Sequence, residues 1–428
     1  MSESLKHWCL ACGMLLAAAI LARPAGAEPA AVAEATADAE KSAATLKSLR
    51  KALADREFDP AGLADLEWAK VPLTRADAES ARAKLWAFQA ARLKKAREAE
   101  YKARELCAGD LKMPFFHSVH GTKPAGGRSL WISLHGGGGA PPHVNDGQWE
   151  NQKRLYQVKE GVYLAPRAPT NTWDLWHAPH IDGLFRRLIE DMVLFEDVSP
   201  DRVYVLGYSA GGDGVYKLGP RMADCWAAAA MMAGHPNNAS MLSLRNVPFA
   251  LQVGGDDAAF NRNTVARDYG AMLDKLQAED PKGYLHYVKI HDGLGHWMNG
   301  QDAAVLPWMA EHSRNPVPDR VVWAEISQAN PRSYWLAVPT GDTQRGGLAM
   351  VRREGQTIVV EKSEGLARLI VRLDDRLVDL DEPVKIVQGQ KTLFEGTIPR
   401  TISGLWSCLA DRADESLMFP AAMTVSLE

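Results

Sequence analysis

Five residues constrain this chain more than any others. Gly207-Tyr208-Ser209-Ala210-Gly211 stands between an apolar run, Val203 to Leu206, and a helix-like stretch carrying Val215, Tyr216 and Leu218. A G-x-S-x-G pattern on a strand-to-helix turn lifts its serine onto a strained bend whose neighbours must be small. The helix that follows aims the partial positive charge of its N-terminus at that serine. The flanking sequence supplies the sheet such a turn needs. Leu130 to Leu134, Val162 to Ala165, Val203 to Leu206, Phe249 to Val253 and Leu285 to Ile290 read as buried strands. Ile181 to Phe195 and Asn263 to Ala278 between them read as helices. Strands alternating with helices predict βαβ units and a mostly parallel sheet, an α/β class.

A reactive serine needs somewhere to put negative charge. His135-Gly136-Gly137-Gly138-Gly139 follows the first of these strands. Glycines let the backbone approach a substrate carbonyl closely. The N–H of Gly137 or Gly138, paired with that of Ala210, is the expected oxyanion hole. His135 itself reads as a brace for the loop. The serine also needs a base, and the base an orienting carboxylate, in the chain order Ser, Asp or Glu, His. Val253-Gly254-Gly255-Asp256-Asp257 and Gly295-His296-Trp297 follow the last two strands. Both lie where α/β sheets build their sites, beyond the carboxyl ends of strands. Asp257 is the expected acid, with Asp256 as its alternative. His296 is the expected base, with His291 as its rival.

Three residues are candidate substrate contacts. Trp173 and Trp176 lie in the loop after Val162 to Ala165, where they either wall the cleft or pack beneath it. His235 follows the strand-like Ala227 to Ala230 and borders the same region. His177 and His180, and Asp257 with Asn261 and Asn263, lack the partner spacing of zinc or calcium sites. No metal and no cofactor is expected.

Taken in order, HGGGG, GYSAGG, VGGDD and GLGHW resemble the α/β-hydrolase esterases. Among these, the poly(3-hydroxybutyrate) depolymerase-like and feruloyl-esterase-like secreted enzymes look most similar. Prolyl-oligopeptidase-type peptidases share the same logic. The resemblance covers roughly Met113 to Pro316. It implies an α/β-hydrolase fold, ester cleavage through an acyl-enzyme, and Ser209, Asp257 and His296 as nucleophile, acid and base. Two other readings stand beside it: a serine peptidase with the same triad, and a non-catalytic binding protein on a hydrolase scaffold.

The rest of the chain reads as flanking units. Lys6 and His7, the apolar run Trp8 to Ala22 and the small-residue site Ala25-Gly26-Ala27 have the order of a secretory signal peptide. The run is shorter than the roughly 20 apolar residues needed to span a bilayer. Residues 1–27 are therefore expected to be a cleaved leader, giving a periplasmic or extracellular protein with no membrane span. Residues 28–110 are expected to be helical, with Ala30 to Ala54 as one helix and Thr74-Arg75-Ala76-Asp77 as the capping box of another. Residues 111–316 form the expected catalytic unit. Beyond Pro316-Val317-Pro318, residues 317–428 are rich in strand signals such as Val321 to Ile326, Tyr334 to Val338 and Ala367 to Leu373, with one helix near Ile402 to Ala410. That part reads as a small β-rich appendage and a candidate polymer-binding module. The formal net charge is −4, so the basic excess of a nucleic-acid binder is missing. Cys107, Cys225 and Cys408 allow one disulfide at most after leader removal.

Overall fold

The computed structural model describes residues 28–342 and 346–427; the leader read in residues 1–27 lies outside the described residues. Two long helices come first, α1 (Glu28–Ala54) and α2 (Arg75–Ala103). Eight strands then build one sheet: β1 (Glu105–Ala108), β2 (Leu111–His120), β3 (Arg128–Leu134), β4 (Gly161–Pro166), β5 (Val198–Tyr208), β6 (Ala228–Met232), β7 (Phe249–Gly254) and β8 (His286–His291). Their order is β1-β2-β4-β3-β5-β6-β7-β8. β1 pairs antiparallel with β2, and β2 antiparallel with β4, while every pairing from β4 to β8 is parallel. Helices α3 (Pro142–Gln152), α4 (His180–Glu196), α5 (Ala210–Arg221), α6 (Arg262–Glu279) and α7 (Leu306–Ala310) accompany it.

The central strands are buried on both faces, which is why they read as unbroken apolar runs instead of alternating ones. In α4 the buried Ile181, Leu184, Phe185, Leu188 and Met192 recur at helical spacing and pack toward β5. The strand order reverses around β3, which has β4 on one side and β5 on the other. Crevices open at such reversals, outside the carboxyl ends of the strands. Here the two chain segments leaving that point are the glycine loop after β3 and the serine turn after β5.

The last part of the chain holds two further sheets. β9 (Arg320–Ile326), β12 (Gly347–Glu354), β13 (Thr357–Glu364), β15 (Val384–Gln388) and β16 (Lys391–Gly396) form one, in the order β16-β15-β13-β12-β9. β10 (Arg332–Ser333), β11 (Leu336–Ala337), β14 (Arg368–Leu373) and β17 (Ala421–Ser426) form the other, with α8 (Ile402–Asp411) ahead of its last strand. The single strand expected over Tyr334 to Val338 is instead half of a tight hairpin. Ser333 pairs with Leu336, and Tyr334 turns the chain with φ 53°.

This β-rich part is not a separate appendage in its packing. Trp323, Ile326 and Trp335 are buried in the same apolar cluster as Met241, Leu244 and Val247, which lie between β6 and β7 of the large sheet. Beneath them two arginines cross the boundary. Arg412 Nη1 meets Asp224 Oδ2 at 2.6 Å, and Arg314 meets Asp414 at 2.8 Å and Asp201 at 2.6 Å. Burial opposes the charged form of Arg412, yet Asp224 outweighs it and the guanidinium is held above its usual range. The helical prefix also departs from expectation. Leu49, Leu63 and Leu85 share a core with Ile402, Leu405 and Trp406 of α8, so the two ends of the described chain pack on each other. The capping box at Thr74 is half formed. Thr74 Oγ1 accepts from the Asp77 N–H at 3.2 Å, but the Thr74 N–H donates to Ser42 Oγ of α1, which itself donates to Asp77 Oδ2.

Among the described residues the cysteines are free thiols, Cys107 exposed and Cys225 and Cys408 buried. No helix among the described residues is long and apolar enough to cross a membrane.

Candidate active site

Ser209 sits between β5 and α5 with φ 59° and ψ −121°. A non-glycine residue held there stores about 1–3 kcal/mol of strain, which the surroundings must over-determine. They do so by close packing. A Cβ added to Gly207 would lie 2.2 Å from Gly211 O, and one on Gly211 would lie 2.2 Å from Leu134 O. The Ser209 N–H donates to Met232 O at 2.9 Å, and its carbonyl accepts from the Asp213 N–H at 3.0 Å.

Ser209 Oγ lies 3.0 Å from His296 Nε2, and His296 Nδ1 lies 2.7 Å from Asp257 Oδ2. Asp257 is buried, and His296 is partly exposed to the cleft. The other oxygen of Asp257 faces Arg262 Nη1 at 3.5 Å, whose guanidinium stands over the Phe260 ring. Asp256 is exposed. His291 is buried against Gln252 Oε1 at 3.0 Å. Of the alternatives the sequence leaves open, His296 is the one that meets the serine and Asp257 the one that meets His296.

The glycine loop is held from behind. His135 is fully buried, its Nδ1 2.6 Å from Gly136 O and its Nε2 accepting from the Ala168 N–H at 3.1 Å. Burial pushes its pKa down to about 4, so it stays neutral and acts as the expected brace. Gly138 requires correction as an oxyanion donor, because its N–H donates to Asn145 Oδ1 at 2.8 Å. Gly137 borders the cleft, and its N–H has no partner among the described residues. Its φ of 105° and the 2.1 Å that would separate an added Cβ from Asn145 Oδ1 admit only glycine. Ala210 opens α5, so its N–H has no intrahelical acceptor. Asn145 also donates to Asn171 Oδ1 at 2.9 Å, which Arg167 holds in turn.

The candidate substrate contacts divide. Trp173 is 53% exposed and lies 5.8 Å from the Phe260 ring, at the rim of the glycine loop. Trp176 is fully buried, donates from Nε1 to His135 O at 2.8 Å and packs on Phe185. It is a packing residue, not a cleft wall. His235 also needs correcting. Its N–H donates to Asp213 Oδ1 at 2.6 Å, its ring bonds Asn237, and it does not border the cleft.

The cleft beside Ser209 measures about 710 Å³. Several of its walls escaped the sequence reading, among them Gln148, Arg154, Tyr208 and Trp297. Tyr208 had a signal, being the variable residue next to the serine. Its O–H donates to His296 O at 2.5 Å and accepts from the Met298 N–H at 3.1 Å, and its ring stands against those of His296 and Trp297. One hydroxyl thus pins the loop that carries His296. Tyr208→Phe keeps the ring and deletes both bonds, so kcat should fall about tenfold with little change in KM, since misplacing a reacting group costs rate. Steady-state kinetics on a p-nitrophenyl ester, with a thermal midpoint to check folding, will read this; an unchanged kcat would remove the role.

A mostly parallel sheet in this order, with a serine turn after β5, a carboxylate after β7 and a histidine after β8, defines an α/β-hydrolase fold. Over about half its length the chain is similar to solved esterase structures. One is a thermostable esterase, at 18% identity over 49% of this chain and 62% of the other, TM-score 0.39. A ferulic acid esterase aligns at 17% identity over 48% of this chain and 96% of the other, TM-score 0.34. A poly(3-hydroxybutyrate) depolymerase from Bordetella parapertussis aligns at 14% identity over 48% and 86%, TM-score 0.35. The chain therefore spans less than two thirds of the thermostable esterase. Neither a protein-family model nor a curated protein matches this sequence.

Proposed function

We propose that this protein is a serine hydrolase that cleaves carboxylic esters through an acyl-enzyme on Ser209. One observation carries the reading above others: Asp257, His296 and Ser209 form a hydrogen-bonded chain, at 2.7 and 3.0 Å, beside a solvent-open cleft. Ser209 Oγ attacks the ester carbonyl while His296 Nε2 takes its proton. Asp257 holds Nδ1–H and balances the imidazolium that forms. The N–H groups of Gly137 and Ala210 receive the oxyanion, which the carbonyl oxygen becomes. Collapse breaks the bond to the alkoxy group, which leaves with the proton from His296. Water, deprotonated by the same histidine, then releases the acid and restores Ser209.

Esters are preferred to amides because the order HGGGG, GYSAGG, VGGDD and GLGHW resembles that of esterases. The leader read in residues 1–27 adds export to the proposal. Labelling with a fluorophosphonate probe tests the mechanism, since the probe reacts with activated serines. Purified protein should label, and Ser209→Ala should not. A folded wild-type protein that fails to label would overturn the reading and favour a binding protein on the same scaffold.

A further inference from the structure

The wall of the cleft formed by the end of α3 carries an uncompensated cation. Gln148, Asn151 and Arg154 recur at intervals of three, so they share one side of the helix and its exit, and all three line the cleft. No aspartate or glutamate lines it with them. The other charged groups of this segment are satisfied. Asp146 is bound by Arg167 at 2.9 Å, and Lys153 is bound by Glu150 at 2.6 Å while lying over the Trp149 ring. Arg154 has neither a carboxylate nor any side-chain hydrogen bond among the described residues. In a chain of net charge −4, whose arginines are mostly paired, a bare guanidinium facing the nucleophile's cleft stands out.

The reach can be bounded. Gln148 lies against Gly136, which abuts Ser209. At 1.5 Å per residue, Arg154 stands roughly 9 Å farther along the helix direction than Gln148. Its flexible side chain can return part of that distance toward the serine. The group it would meet is therefore remote from the scissile carbonyl, several bonds along the substrate. Guanidinium matches a carboxylate through two parallel charge-assisted hydrogen bonds, a fit that a neutral chain end cannot provide.

We propose that Arg154 makes this cleft selective for esters that carry a second, free carboxylate distant from the bond being cleaved. The proposal rests on the serine-hydrolase reading above. Half-esters of dicarboxylic acids place the charge on the acyl side, and esters of hydroxy-acids place it on the alcohol side.

The test compares kcat/KM for matched pairs. On the acyl side the pair is mono-p-nitrophenyl adipate against p-nitrophenyl hexanoate, which have the same chain length. On the alcohol side it is 4-acetoxybenzoate against its methyl ester. Wild type should favour the anionic member of at least one pair by about tenfold or more at low salt, the scale of one charge-assisted contact. Arg154→Ala should abolish that ratio, Arg154→Glu should invert it, and Arg154→Lys should retain part of it. Raising the salt should shrink the ratio in wild type alone. Thermal midpoints confirm that the variants fold. A ratio of one or below in both pairs, or one that survives Arg154→Ala, overturns the proposal while the hydrolase reading stands. Failure to turn over any of the four esters, together with no fluorophosphonate labelling, would instead sink the hydrolase reading itself.

Discussion

Ser209→Ala should lower kcat/KM for any ester substrate by on the order of 10⁴- to 10⁶-fold, and His296→Ala should do nearly the same. The two losses should not add, because each removes the same event, the delivery of an unprotonated Oγ to the carbonyl. Asp257→Asn is the sharper probe. The side chain keeps its size, but its amide can present N–H where His296 now donates at 2.7 Å, favouring the wrong imidazole tautomer. A fall of about 10⁴-fold is expected from that change alone. Some acceleration over water should remain in every variant, since the amides of Gly137 and Ala210 are untouched. Kinetics on p-nitrophenyl acetate with active-site titration decide the matter. Activity within tenfold of wild type in Ser209→Ala would assign the chemistry elsewhere.

Arg412→Ala should destabilise the fold by on the order of 3–5 kcal/mol, the cost of leaving a buried carboxylate without its partner. Asp224 would be the stranded group, since Arg412 supplies its closest ion pair and also donates to its backbone carbonyl at 2.7 Å. By contrast Arg353→Ala, which breaks a pair with the exposed Asp319, should cost about 0–1 kcal/mol. Chemical denaturation of both variants makes the comparison. Equal losses would show that the buried pair has no special weight. The same pair sets a pH dependence. Burial would raise the carboxyls of Asp224 and Asp414, but Arg412 and Arg314 overcome it and hold both below the ordinary range. Carboxyls depressed in the folded state stabilise it at pH values above their unfolded pKa of about 4. That contribution is lost as pH falls through the folded values, so the boundary should loosen in acid. On this ground residues 317–428 are proposed to be a structural part of the hydrolase, not a detachable polymer-binding module, and should not fold when expressed alone.

The sequence made the centre of the molecule legible because there the constraints are local. Two glycines that tolerate no Cβ, a serine between them and an apolar strand before it can be read from the stretch Val203 to Gly211. So can the loops that end β7 and β8. The misses have a common cause, dependence on residues far away. β2 is not legible in the sequence because Pro114, His117 and His120 interrupt its apolar pattern, and only pairing with β4 settles it. The choice between Gly137 and Gly138 turns on Asn145, a helix residue with no motif of its own. Trp173 and Trp176 sit three apart in one loop, yet one is exposed and the other buried, because Trp176 finds an acceptor in His135 O. Arg154 carries no signal until the cleft exists around it.

The embrace of α1 and α2 by α8 bears on how the chain is made. Leu73 N–H donates to Arg400 O, and Ser403 Oγ donates to Ala64 O across a sequence separation of 339 residues. Contacts so distant in sequence form late, because the intervening chain must first be closed into a loop. During synthesis the helical segments that carry Leu49, Leu63 and Leu85 therefore emerge covered only by one another, and stay so until α8 is made. For that interval the nascent chain offers an adhesive stripe to chaperones and proteases. A premature stop anywhere before α8 would make that interval permanent, so truncated products should be cleared or aggregate even when the whole eight-stranded sheet has been translated.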